Sequence, residues 1–475
     1  MSYSSKVLDY FKKITEIPRE SGHEGPMTAY LQAFAAEHNL ACRTDAIGNV
    51  VITREASKGK EDVPVLVLQS HQDMVCEKNA GIQHDFAKDP IKYVIEDGWM
   101  IAKDTTLGAD DGIGIAASLA LLESDLEMGR IECVFTISEE TGMDGATVME
   151  PGFFSGKTLI NLDSEEEGEF CIGCAGGLNT IIEFDYSTEL IHKGWDRIRI
   201  KIGGAMGGHS GEDINKERAN TVQQMGRFLY EELSYGLQLQ LFKGGNKSNA
   251  IARECEAIIA VPDEKATIAR LQNFGKDLRI EFASSDPDIY VSSSPVFVNE
   301  KMIDQNTAER FIRAIHACPH GVQAMSQDIK GLVETSTNLA AVRMNEFGKI
   351  RIITSQRSSV NSRKKMIASK IRANFEAAGA RVEHKLEYPG WRPDVNSHIL
   401  AECVESYKRL FGKEPIVKAI HAGLECGLLL EKFPGMDMIS FGPTLLGVHA
   451  PGERMELASL DKFTDLLVDV VCNFK

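Results

Sequence analysis

Long apolar runs are scarce in this chain, and that scarcity is the first constraint on it. The longest, around Ile113 to Leu122, falls short of the roughly 20 residues that cross a bilayer, so no membrane is expected as a partner. The opening, Met1-Ser2-Tyr3-Ser4-Ser5-Lys6, lacks the apolar core of a secretion signal. Basic charge is also in deficit. Lysine and arginine total 52 against 69 aspartates and glutamates, a net charge of -17, which argues against a nucleic-acid-binding surface. It says little about a substrate, because the local charge of a cleft can oppose the global sign. Cysteine is thinly spread. Ten residues over 475 fit reduced thiols in a cytosol better than a disulfide framework, so a cytoplasmic location is expected.

A chain of 475 residues exceeds the size at which one core usually stops growing, and two domains are expected. Val7, Leu8, Phe11 and Ile14 form one helical stripe, and Met27, Tyr30, Leu31 and Phe34 another. Short strands near 41–43 and 50–53 precede the buried-type run Val65-Leu66-Val67-Leu68, which ends in Ser70-His71-Gln72-Asp73. Gly108-Ala109-Asp110-Asp111-Gly112 then opens a small-residue helix through Ser124, and strands follow at 131–140 and 158–163. Strands alternating with helices predict an α/β catalytic domain, three layers around a mostly parallel sheet. From about residue 186 the pattern changes to clean alternation, as in Arg197-Ile198-Arg199-Ile200-Lys201-Ile202, with helices around 219–233, 308–317 and 364–378. This predicts an inserted α+β lid domain that ends at Tyr388-Pro389-Gly390-Trp391. The first pattern then resumes, with a helix near 398–410, a strand at 436–441 and a last helix carrying Leu460, Phe463, Leu467 and Val470. The predicted domains are thus 1–185 and 391–475 for the catalytic domain, and 186–390 for the lid.

In open α/β sheets ligands bind beyond the carboxyl ends of the strands, and His71, Glu140 and Asp163 all fall at such ends. The strand at 131–140 emerges in two adjacent acids, Glu139 and Glu140. Successive strand side chains point to opposite faces, so the two are free to do different work: Glu140 holding a metal and Glu139 moving a proton. An isolated Glu-Glu pair is ordinarily a solvated turn, but here other strand and loop ends carry matching residues. Amide hydrolysis needs a nucleophile stronger than water and stabilisation of an oxyanion. Two divalent ions about 3.5–4 Å apart supply both. Five residues are candidates to hold them: His71, Asp110, Glu140, Asp163 and His449. Asp110, at a loop-to-helix junction, is placed to bridge both ions, with His71 and Asp163 completing one site and Glu140 and His449 the other. Mixed imidazole and carboxylate donors suit zinc, with cobalt or manganese as alternatives. Asp73 is placed to accept the other N–H of His71 and fix its tautomer.

Four segments carrying these residues, His71-Gln72-Asp73-Met74-Val75, 106–114, Ser138-Glu139-Glu140-Thr141-Gly142 and Asn161-Leu162-Asp163-Ser164-Glu165, resemble the aminoacyl-histidine dipeptidases. These are the bacterial Xaa-His, or cytosol non-specific, dipeptidases of the co-catalytic zinc peptidase family. The resemblance extends to His421-Ala422-Gly423-Leu424-Glu425-Cys426-Gly427 and to the loop 447–453, and so covers essentially the whole chain in order. It implies a two-domain fold, a dimetal centre with the ligands above, Glu139 as general base, and a strained peptide bond after Asp110 that aims the bridging carboxylate. It implies hydrolysis of small peptides, β-alanyl-histidine and other unblocked dipeptides among them, and a homodimer contact on the lid. Gly207-Gly208-His209-Ser210-Gly211 resembles the family's substrate-contacting loop, and His209 is suited to hydrogen-bond a developing oxyanion. Arg357 is suited to pair with a free C-terminal carboxylate, Asn249 to make a further polar contact, and Glu425 to pair with the substrate's amine. Apart from the resemblance, His209 in a glycine-rich turn is ordinary, and Arg357, Asn249 and Glu425 read as surface polar residues. Closure of the lid would bring these groups over the metals and exclude water.

Other motifs carry less. Cys171-Ile172-Gly173-Cys174 has no second pair with zinc-ribbon spacing. His316-Ala317-Cys318-Pro319-His320 straddles a helix end and a proline, and 203–208 is glycine-rich without the Lys-Ser/Thr of a phosphate loop. Two rival functions remain: an N-acyl-amino-acid deacylase or carboxypeptidase on the same scaffold, and a non-catalytic metal-dependent binding protein. A mere binder has no need of Glu139.

Overall fold

Four short apolar runs, Leu66–His71, Ile131–Thr136, Thr158–Asn161 and Asp437–Ser440, lie side by side as parallel strands. The structure is a computed structural model that describes residues 3–297, 301–345 and 348–475. Every residue of Leu66–His71 and Ile131–Thr136 is buried, as expected of strands covered on both faces. Further strands extend the sheet on both sides, 50–54 and 169–174 antiparallel to their inner neighbours, giving the order 41–44, 50–54, 131–136, 66–71, 158–161, 437–440, 169–174 and 416–420. The helix Tyr3–Ile14 buries Val7, Phe11 and Ile14 and packs against the helix Ala109–Leu122. Burial of each such side chain contributes roughly 1.5–3 kcal/mol.

The helix Ala109–Leu122 is buried along its whole length, which its alanines, glycines and aliphatics permit. Gly114 sets how closely it approaches the sheet. A Cβ there would lie 2.8 Å from both Leu162 Cβ and Ser70 Oγ.

The chain divides into two units. The first comprises the chain up to Gly173 with Trp391–Ala419 and Leu424–Lys475; the second comprises Cys174–Gly390 and Ile420–Gly423. The second unit begins ahead of the expected residue 186 because the strand Gly176–Asp185 belongs to its sheet, pairing with Lys349–Ser358 on one side and Arg381–Tyr388 on the other. That sheet is antiparallel, in the order 290–295, 196–203, 255–261, 238–245, 333–345, 349–358, 176–185 and 381–388. Helices Thr221–Glu232, Glu264–Glu281, Gln305–Ala317 and Asn361–Ala377 contribute Phe228, Phe274, Phe311 and Phe375 to a core shared with Ile200, Ile259 and Ile352 of the strands.

One expectation is corrected. The strand that begins at Ile131 ends at Thr136 and does not reach Glu140. Ser138 takes a left-handed conformation at φ 52, and Glu139–Gly142 form a short helical turn. Glu139 and Glu140 therefore diverge by the roughly 100° between helical neighbours, not by strand alternation.

Candidate metal centre

His71 is the last residue of its buried strand, and its imidazole is almost wholly covered. Nε2 lies 2.9 Å from Asp110 Oδ1 and 3.6 Å from Asp163 Oδ1. Asp163 stands two residues past the strand Thr158–Asn161, so neighbouring parallel strands deliver both groups to one end of the sheet. Asp110 arrives from the opening of the helix Ala109–Leu122, where Asp110 and Asp111 depart from helical φ/ψ and the peptide bond between them is cis.

The second oxygen of Asp110 faces elsewhere. Oδ2 lies 3.1 Å from His449 Nε2, which is 3.0 Å from Glu140 Oε2. His449 sits at φ 63 in a loop bounded by strands Leu445–Leu446 and Arg454–Glu456, which pair with each other; the latter also pairs with Trp99–Ala102. Ligand atoms of His71, Asp110 and Asp163 come within 4.8 Å of one another, as do those of Asp110, Glu140 and His449. A third such group joins His71 with Glu139 and Glu140. The donors fit divalent cations: two trios of nitrogen and oxygen donors share the two oxygens of one carboxylate.

Electrostatics point the same way. Burial raises the Glu139 carboxyl well above its ordinary value, and Glu425, Glu140 and Asp110 add to the rise while His71 opposes it. Burial and Asp110 likewise raise Asp163. Asp110 runs the other way: burial opposes its charge, yet hydrogen bonds from His449 and His71 hold it far below the carboxylate range. Hydrogen bonds to Asp110 and Glu140 bring His449 up to about 10. Buried acids crowded this closely repel one another, and a cation among them relieves the repulsion.

Asp73 serves several groups at once. Its Oδ1 is 3.3 Å from His71 Nδ1 and accepts the backbone N–H of Glu139 at 3.0 Å. Its Oδ2 accepts from Ser21 Oγ at 2.7 Å and from the backbone N–H of Glu140 at 3.1 Å. Burial works against its charge, but His71 and Ser21 bring its pKa down to about 2. Glu425 is wholly buried rather than at the surface. Its Oε2 accepts from Gln69 Nε2 and Thr136 Oγ1, both at 2.6 Å, while Oε1 has no hydrogen-bond partner among the described residues. Burial pushes its pKa up to about 7.

His209, Asn249 and Arg357 belong to the second unit. His209 pairs with Ala250 across a two-residue bridge, and the Asn249 carbonyl accepts the Ser210 N–H at 2.8 Å. Arg357 lies on the strand Lys349–Ser358 opposite Ser336, whose hydroxyl is 2.7 Å from His421 Nε2. Burial, then the charge of Arg357, lowers the pKa of His209. His316 stacks on Tyr230, and His320 Nδ1 accepts the Leu339 N–H at 3.2 Å; neither is in a metal-like group among the described residues.

Residues that position this cluster went unnoticed in the sequence. Arg19, wholly buried, donates to the carbonyls of Gln72, Asp73 and Gly108. Glu453 accepts the N–H groups of Leu107, Gly108 and Ala109 at 2.7–3.0 Å and so ties down the loop ahead of Asp110. Glu24 accepts from the N–H and hydroxyl of Ser138 at 3.0 and 3.1 Å. An arginine or glutamate outside a periodic segment looks like surface charge, and only Glu453 had a signal, its place in the segment 447–453.

An α/β unit whose strand ends, helix opening and loops gather two imidazole–carboxylate trios around one aspartate has the site of a metallopeptidase. Residues 67–473 match the sequence profile of peptidase family M20/M25/M40, and the chain belongs to that family. It is 38% identical over 471 residues to the cytosol non-specific dipeptidase of Escherichia coli (strain K12), covering 98% of this chain and 96% of that protein. The crystal structure of aminoacylhistidine dipeptidase from Vibrio alginolyticus matches with a TM-score of 0.94 at 38% identity, covering 99% of this chain and 97% of that one. A tripeptidase from Staphylococcus aureus, 17% identical with a TM-score of 0.57 over 98% of this chain and 97% of its own, is alike in fold alone.

Proposed function

We propose that this protein is a cytoplasmic dipeptidase that hydrolyses unblocked dipeptides, β-alanyl-histidine among them, with two divalent cations, zinc by donor chemistry. The observation that carries the reading is Asp110, whose two carboxylate oxygens lie 2.9 and 3.1 Å from the imidazoles of His71 and His449. His71, Asp110 and Asp163 would hold one cation, and Asp110, Glu140 and His449 the other. Cations there supply Lewis acidity, polarising the peptide carbonyl and acidifying water. Glu139 takes the proton of the attacking water and passes it to the leaving amine; burial raises its carboxyl above the ordinary value, which favours its holding the proton in transit. Asp73 keeps the His71 ring and the Glu139 turn in place. Arg357 takes the substrate's carboxylate, His209 the developing oxyanion, Asn249 a further polar contact, and Glu425, through its unpartnered Oε1, the free amine.

The names of the Escherichia coli and Vibrio relatives support the substrate class. The resemblance also supports a homodimer through the second unit, for which sedimentation velocity is the test. The deciding experiment on function compares a dipeptide with its N-acetylated form before and after chelation. The unblocked form should be preferred, with activity lost in chelator and restored by zinc or manganese. Preference for the acetylated form would make the protein a deacylase, and no hydrolysis of either would leave it a binding protein.

A further inference from the structure

Tyr388 reaches Arg357 across a glycine. The strands Lys349–Ser358, Gly176–Asp185 and Arg381–Tyr388 are consecutive in the second unit's sheet, and Gly177 is the register partner of Arg357 on one side and of Tyr388 on the other. Directly opposed residues on paired strands project to the same face, so any side chain at 177 would stand between the other two. A Cβ there would lie 2.6 Å from Tyr388 Oη. With none, the ring lies over Gly177 and its hydroxyl accepts a hydrogen bond from Arg357 Nη1 at 3.4 Å.

The backbone around Tyr388 is arranged for this. Pairing with Gly176–Asp185 slips between Lys385 and Tyr388, and Leu386 sits at φ 53, a left-handed conformation uncommon for any side chain but glycine. Bulges of this kind re-aim the side chain that follows. The ammonium of Lys364, itself wholly buried, donates to the Tyr388 carbonyl. Gly423 lies against the ring, where a Cβ would approach to 3.0 Å.

The consequence falls on Arg357. A guanidinium is a rigid planar fork, and turning Nη1 toward Tyr388 fixes where its Nε edge points. That Nε–H is buried and has no hydrogen-bond partner among the described residues, and a buried donor left so calls for an acceptor. We propose that Tyr388 is a positioning residue that orients Arg357 so that its Nε edge meets the carboxylate of a dipeptide, and thereby sets the preference for a free C-terminus. This rests on the dipeptidase reading above.

The test is Tyr388→Phe in the full-length, zinc-loaded protein, assayed on β-alanyl-histidine and on its C-terminal amide. KM for the free acid should rise about fivefold, with kcat within about twofold of wild type and KM for the amide unmoved. The melting temperature should not change. Equal KM values in variant and wild type would overturn the proposal, as would equal losses on acid and amide, the mark of a merely structural role. Gly177→Ala displaces the ring by a different route and should reproduce the acid-selective rise; an unaltered acid preference there counts equally against it. Should the wild type hydrolyse no dipeptide, the dipeptidase reading falls by itself. The clamp is then judged by calorimetric titration of the free-acid dipeptide into wild type and Tyr388→Phe, and equal affinities, or binding by neither, overturn it.

Discussion

The backbone N–H of Glu139 donates to Asp73 Oδ1 at 3.0 Å, so one buried carboxylate fixes the turn that carries the proposed base. The same carboxylate lies against His71 and the Glu140 N–H. Asp73→Asn keeps the volume but places a donor where an acceptor is needed. Metal affinity or kcat/KM should fall about 10–100-fold, read by competitive metal titration and steady-state rates. Unchanged values in both would release Asp73 from this role.

Glu139→Gln separates proton transfer from binding. The variant should retain its metal by elemental analysis while kcat falls by about 10²–10⁴. Wild-type turnover would remove Glu139 as the base.

Cations should stabilise the fold as well as support the reaction. Burial, then repulsion among neighbouring acids, raises Asp163 and Glu139; a bound cation relieves the repulsion, and a ligand of the folded state alone raises stability by mass action. The melting temperature should climb with added zinc and drop in chelator. A midpoint indifferent to both would contradict a buried site.

Gly114→Ala probes the approach of the helix Ala109–Leu122 to the sheet. The added methyl meets the Asp111 carboxylate, Leu162 Cβ and Ser70 Oγ, the last two at 2.8 Å, so the helix or these neighbours have to shift. Overpacking of this kind costs about 1–3 kcal/mol, visible as a lowered denaturation midpoint. A variant as stable as wild type would mean that the helix has slack.

Acid should weaken the second unit through two histidines. Burial lowers His320 to about 4, and burial with the charge of Arg357 lowers His421 to about 3, against roughly 6.5 in an unfolded chain. Both are neutral in either state above about pH 6.5, where their contribution to stability is complete. As the pH falls from there toward the folded values, the unfolded chain takes up protons that the folded one does not, and stability is lost. Melts of wild type and His320→Asn between about pH 7.5 and 4.5 should show a shallower decline in the variant. Parallel curves would mean that His320 adds nothing to the acid sensitivity.

Much of this was legible in the sequence because it is written in local pattern. Apolar runs and their periods marked the central strands and the helices around them, and short motifs named His71, Asp110, Glu140, Asp163 and His449, whose ligand atoms the fold gathers into two trios. Periodicity is a property of neighbouring residues, so a linear reading reaches it. What the tertiary structure alone decided is relational. The turn at Ser138, in a left-handed conformation held by Glu24, replaced an expected strand end. Arg19 and Glu453 tie down distant loops, and Gly177 stands in register between Arg357 and Tyr388. Each depends on which strands pair and in what register, a balance of long-range packing and hydrogen bonding that no single stretch of sequence contains.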